Sequence, residues 1–121
     1  IDLTIITYGM GVHWAIDFVA KSTHSIEIID LRTLLPLDLE NIAKSIKKTN
    51  RVLILHEDNL TGGIGAEISA IISEKYFDYL DAPIMRLGSI DTPIPFSSSI
   101  ENENYLPVNL ISEKVDKLMS Y

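Results

Sequence analysis

The residues with the richest chemistry lie in one run, His56-Glu57-Asp58-Asn59-Leu60-Thr61-Gly62-Gly63-Ile64-Gly65-Ala66-Glu67. A histidine beside a glutamate can form an acid and base pair, because burial and neighbouring charge move both toward neutral pH. Consecutive strand residues point to opposite faces, so His56 and Glu57 work together only if the strand ends by Leu55. The zinc-protease pattern fails, since its second histidine would fall where Leu60 stands. A structural role fits the pair better, with His56 lodged between loops and Glu57 accepting backbone N–H groups from the following turn. Gly62, Gly63 and Gly65 expose backbone N–H groups at the start of a helix, where the macrodipole favours an anion. No Lys-Ser or Lys-Thr pair follows, so this is not a Walker loop. A weak phosphate or carboxylate site is one reading; glycines that turn the chain sharply and pack its backbone closely are the preferred one.

A second glycine pattern, Gly9-x-Gly11-x-x-Trp14, precedes Asp30 by about twenty residues, the spacing of a dinucleotide fingerprint. The Trp14 indole stands where that fingerprint needs its third glycine, which argues against NAD or FAD and for tight-turn glycines feeding a helix. His13 and His24 have no ligand-spaced companion, and the chain has no cysteine, so neither a metal site nor a thiolate nucleophile is expected. No serine sits in a Gly-x-Ser-x-Gly elbow, and Ser97 to Ser99 reads as loop. Asp30 and Arg32 have the spacing of an ion pair, with Arg86 as another partner, in a semi-buried network that fixes loops. These residues together describe a non-catalytic α/β domain.

The elements that position them are legible as four short apolar runs, Leu3 to Thr7, Ile26 to Ile29, Val52 to Leu55 and Ile84 to Leu87. Continuous rather than alternating hydrophobicity marks strands covered on both faces. Helical spacing separates or follows them: Val12, Ile16 and Val19; Leu39, Ile42, Ala43 and Ile46; Ile64, Ile68, Ile71 and Ile72; Leu110, Ile111, Val115, Leu118 and Met119. Alternating strands and helices predict right-handed crossovers and a three-layer α/β/α fold around a mainly parallel sheet. Asp38 is the expected N-cap of the second helix, and Asp91 to Ser99 a rigid connection. The 121 residues, 46% of them hydrophobic, suit one domain with a proper core.

Ten basic residues face seventeen acidic ones, a net charge of −7, and the basic ones are scattered apart from Lys47 and Lys48. That excludes a nucleic-acid groove and leaves a solvated acidic surface or one that meets a basic partner. No apolar run spans a bilayer and no signal peptide is evident, so a cytoplasmic location is expected. The first residue is Ile1, which suggests a piece of a longer polypeptide.

In combination, Asp30-Leu31-Arg32-Thr33 with Pro36, Gly62-Gly63-x-Gly65-x-Glu67, Ala82-Pro83 with Arg86, and Asp91-x-Pro93-x-Pro95 resemble a known family. It is the carboxyl-terminal domain of the β subunit of thiamin-diphosphate-dependent 2-oxo acid dehydrogenases, shared with transketolase. His56-Glu57 followed by Leu60-Thr61-Gly62-Gly63 looks more like the branched-chain enzymes than the pyruvate ones. The resemblance implies strand order 2-1-3-4, with an extra antiparallel strand supplied from upstream of Ile1. Gly9, Gly11, His56, Glu57, Gly62, Gly63 and Gly65 then form structural loops at the switch point. It also implies that thiamin diphosphate and magnesium bind in other domains of the full-length enzyme, so this segment has no catalytic, cofactor or metal residue. Implied partners are an α subunit or fused α-like part, a second β subunit, and the dihydrolipoyl acyltransferase core, docked near Asp78, Asp81 and the Tyr121 carboxylate. The rival readings are an independent anion- or nucleotide-binding domain and the equivalent domain of a transketolase or deoxyxylulose-phosphate synthase.

Overall fold

The computed structural model describes residues 1–100 and 105–121. Among them, β1 (Leu3–Thr7), β2 (Ile26–Asp30), β3 (Val52–Asn59) and β4 (Met85–Ser89) form one sheet in the order β2-β1-β3-β4, with every pairing parallel. Parallel neighbours need crossovers, and α1 (Met10–Val19), α2 (Leu39–Thr49) and α3 (Ile64–Tyr76) supply them. A last helix, α4 (Ile111–Met119), follows β4. Leu3, Ile5, Leu53 and Leu55 face α1 and α4, while Ile6 and Ile54 face α2 and α3. Both faces of β1 and β3 are therefore covered, which is why their apolar runs do not alternate. The expected three-layer α/β/α fold and strand order are those observed.

Local sequence sets the element ends. Asp38 caps α2 by accepting from the Asn41 N–H at 3.1 Å, and Asn50 ends it in the left-handed conformation, φ 59°. Ile42 and Ile46 are fully buried, each contributing about 1.5–3 kcal/mol by the usual transfer scale.

Three features differ from expectation. Helix α1 buries Gly11 and Ala15, with Trp14 and Phe18 packed alongside, and leaves Ile16 51% exposed. A Cβ at Gly11 would overlap Thr7 Oγ1 and lie 3.3 Å from the Leu55 carbonyl, so only glycine lets this turn sit so close to the sheet. The small-residue face wins over the Val12–Ile16–Val19 stripe for that reason. Second, α2 buries Ser45 and Thr49 beside its isoleucines. Thr4 Oγ1 lies 2.6 Å from Ser45 Oγ and 2.7 Å from Thr49 Oγ1, and Ser45 Oγ donates to Glu27 Oε2 at 2.6 Å. Partnered in this way, hydroxyls occupy core positions without an unpaired-group penalty. Third, β3 continues to Asn59, four residues beyond the apolar run.

Candidate functional site

That extension decides the fate of the histidine and glutamate. With the strand still running, His56 turns inward to 0% exposure and Glu57 outward into solvent. The two do not form an acid and base pair. His56 Nδ1 lies 3.1 Å from the Asp58 carbonyl, which only accepts, so Nδ1 carries the proton and Nε2 presents a lone pair. Nε2 has no hydrogen-bond partner among the described residues. The ring stacks on Tyr8 at 6.3 Å between centroids. Burial lowers its pKa below the ordinary 6.5; the Asp58 carbonyl and carboxylate oppose that shift and Arg86 reinforces it.

Glycines make room for this ring. A Cβ on Gly65 would lie 2.5 Å from His56 Nε2; on Gly63 or Gly88 it would lie 2.7 Å from Cε1. Gly62 and Gly9 serve differently, adopting φ +79° and +56° with nothing crowding them. Gly11, as above, sets the approach of α1.

The turn after β3 is stitched to β4 and the segment beyond it. Asp91, not Glu57, is the acceptor: Thr61 donates its N–H at 2.9 Å and its hydroxyl at 2.5 Å. Those bonds hold the Asp91 carboxyl below the usual carboxylate range. Asn59 Nδ2 donates to the Thr92 carbonyl at 2.9 Å and to the Ile90 carbonyl. Ser89 Oγ donates to the Glu57 carbonyl at 2.5 Å, and Arg86 Nη1 to the Leu60 carbonyl at 3.1 Å. Sequence reasoning missed these roles for Asn59, Gly88, Ser89 and Asp91; the proline-punctuated Asp91–Pro95 run was the signal that this segment is held rigid. Arg32 pairs with Asp30 as expected, but its side chain is 87% exposed, so that pair is a surface one of little energetic weight.

An anion or diphosphate does not fit the α3 amino terminus. Exposed Glu57 and Asp58 flank the turn, and Glu67 in the first turn of α3 already answers the macrodipole. His13 is exposed, and His24 lies 3.9 Å from Asp116 at a distant edge.

The carboxyl end of the sheet is instead rich in exposed apolar groups. Met10, Ile16, Leu34 and Leu35 surround the ends of β1 and β2, beside a groove of about 600 Å³ lined by Tyr8, Val12, His13 and Arg32. Ile90, Ile94 and Phe96 follow β4 at the same end; Leu35 and Phe96 are 94% and 105% exposed. Asp78, in the 3-10 turn Phe77–Tyr79, and Asp81 precede β4, so they lie at the opposite end and are exposed. Asp81 N–H donates to the Asn50 carbonyl, and neighbouring Arg51 donates to the Leu118 carbonyl of α4, which brings exposed Tyr121 to that same end.

Residues 1–109 match the family model for the transketolase C-terminal domain. The chain belongs to that family. The kinship read from its motifs is also borne out by relatives across nearly all its length. The transketolase C-terminal domain described here is 41% identical, over 98% of the chain, to the pyruvate dehydrogenase E1 component subunit beta of Gracilaria tenuistipitata var. liui, of which it covers 38%. It is 45% identical, over 84% of the chain, to the mitochondrial subunit of Dictyostelium discoideum, covering 29%. The chloroplastic beta-2 subunit of Arabidopsis thaliana is 42% identical over 96% of the chain, again with 29% covered. The domain thus spans about a third of the length of these relatives. A split gene transketolase, solved as an inactive beta4 tetramer, shares the fold at TM-score 0.78 and 22% identity, covering 98% of this chain and 38% of that one. No helix among the described residues is long and apolar enough to cross a membrane.

Proposed function

We propose that this domain is the non-catalytic assembly and docking part of a longer β subunit, in the decarboxylating component of a 2-oxo acid dehydrogenase. The observation that carries the reading is the apolar surface at the carboxyl end of the sheet. A monomer gains nothing by holding Leu35 and Phe96 in water, the latter just beyond the tied Asp91 and Thr92, whereas a subunit interface buries them. An α subunit, or a fused α-like part, and a second β subunit are the partners proposed for that end. The opposite end, with Asp78, Asp81 and Tyr121, is proposed to grip a basic segment of the acyltransferase core through those two carboxylates, an attraction that weakens with salt.

The activity proposed for the full-length protein is decarboxylation of a 2-oxo acid with thiamin diphosphate and magnesium, followed by acyl transfer to the lipoyl group of the core. Both cofactors would be held by other domains, because the acidic flanks of the α3 turn do not suit a diphosphate. Pyruvate is the favoured substrate, since the similar curated subunits carry that name. A branched-chain 2-oxo acid is the alternative drawn from the His56-Glu57 and Thr61-Gly62-Gly63 pattern. Organellar and cytoplasmic settings are both open to it, as the relatives include mitochondrial and chloroplastic subunits.

The test compares the full-length assembly with this domain alone. The assembly is expected to decarboxylate pyruvate faster than 3-methyl-2-oxobutanoate and to need thiamin diphosphate, while the domain alone neither turns over nor binds the cofactor saturably. Turnover or saturable binding by the domain alone would overturn the proposal.

A further inference from the structure

Buried polar atoms without partners are rare enough to require an account, and His56 Nε2 is one of them. The ring is fully buried, and four elements close on it. The end of β1 contributes Tyr8, β4 contributes Gly88 and Arg86, α3 contributes the backbone of Gly63 and Gly65, and β3 contributes Glu57 and Asp58 beside the histidine. Of the charged groups, Arg86 lies on the inner side, whereas Glu57, Asp58 and Glu67 are exposed.

A second proton on this ring meets three obstacles. It would sit on Nε2, for which no acceptor is in reach. It would face the first turn of α3, the positive end of that helix's dipole. It would also be repelled by the Arg86 guanidinium. Outside the pocket the balance reverses, because water solvates the charged ring and the Asp58 carboxylate favours it. The neutral ring therefore belongs inside and the imidazolium outside.

We propose that His56 is a proton-operated clasp on the switch-point loops. Neutral, the ring locks the β1–α1 loop and the Gly62–Gly63 turn to β4; protonated, it leaves its glycine pocket and frees that turn. Loss of the ring also removes the support beneath Tyr8, so both loops loosen together. The global fold persists, since the two core clusters are built from other residues, with only Tyr8 and Ile64 at the edge of the second adjoining the ring. This device does not require the assembly role proposed above, although the β1–α1 loop it holds lies on the same face.

Hydrogen exchange of the chain, corrected for intrinsic rates, tests it at about pH 7.5 and about pH 5, on either side of the histidine range. Peptides covering Tyr8 to Val12 and Leu60 to Gly65 are expected to exchange about tenfold faster at the lower pH, with the Leu53 region unchanged. His56→Asn keeps a donor for the Asp58 carbonyl but cannot protonate, and is expected to abolish the acceleration. In wild-type protein, the His56 ring carbon signals and the amides of Gly63, Gly65 and Gly88 are expected to titrate together below 6.5. The proposal is overturned if the variant shows the same acceleration between the two pH values, if the ring signals stay flat while the loops open, or if the Leu53 amide opens with the same midpoint. Should the variant not fold, the wild-type titration decides alone.

Discussion

Gly65→Ala tests whether the His56 ring sets the glycine requirement of the α3 turn. The added methyl would lie 2.5 Å from His56 Nε2, 2.7 Å from Cδ2 and 3.2 Å from Ile54 Cγ2, all buried and none at the end of a flexible chain. Overpacking of this kind costs about 1–3 kcal/mol. Alanine returns up to about 1 kcal/mol of helix propensity, less so near close to the helix start. The net expectation is a loss of about 1–2 kcal/mol. In a His56→Ala background the ring is gone and only the 3.2 Å contact with Ile54 remains, which a small shift relieves. There the same change is expected to be neutral or stabilising by up to about 0.5 kcal/mol, a coupling of about 2 kcal/mol. Urea unfolding of the four proteins of the cycle near neutral pH, followed by circular dichroism, measures it. Additivity within about 0.5 kcal/mol would refute the reasoning, because the glycine would then be serving something other than the ring.

Three further outcomes follow from the same geometry. The folded state depresses the His56 pKa, so its contribution to stability is complete above 6.5 and is lost as pH falls below that value. The unfolding free energy from urea titration should decline there by at most about 1.4 kcal/mol per pH unit, and this decline should be absent in His56→Asn. Thr4→Val removes the hydroxyl shared by Ser45 and Thr49, but each keeps another partner, so thermal unfolding should show a loss of about 1 kcal/mol rather than collapse. Thr61→Val should raise the Asp91 pKa toward its ordinary 3.8 in a carboxyl carbon titration; the stabilisation Asp91 provides is present above 3.8 and fades as pH falls through its depressed value.

The layers were legible because both faces of β1 and β3 are covered, which leaves unmistakable apolar runs such as Leu3 to Thr7 and Val52 to Leu55, whereas the strand order came only from what the family resemblance implies. Asp38 was legible as a cap because its chemistry is local. What escaped depends on contacts distant in sequence. The buried face of α1 is chosen by Gly11 against Thr7 and Leu55, not by the amphipathic stripe. The continuation of β3 through His56-Glu57-Asp58-Asn59 is fixed partly by Ser89 bonding back from β4, which no period of hydrophobicity reports. Asp91 outcompetes Glu57 as acceptor because β4 delivers it to Thr61. The burial of Ser45 and Thr49, on which the sequence reading is silent, depends on Thr4 and Glu27 satisfying them from other strands.

Sedimentation of the full-length subunit carrying Leu35→Asp or Phe96→Asp tests the assembly role most directly. Both side chains touch little within this domain, so its unfolding transition should match wild type. The account predicts that each variant dissociates into smaller species at concentrations where the wild-type protein stays assembled. Unchanged sedimentation in both variants would contradict it.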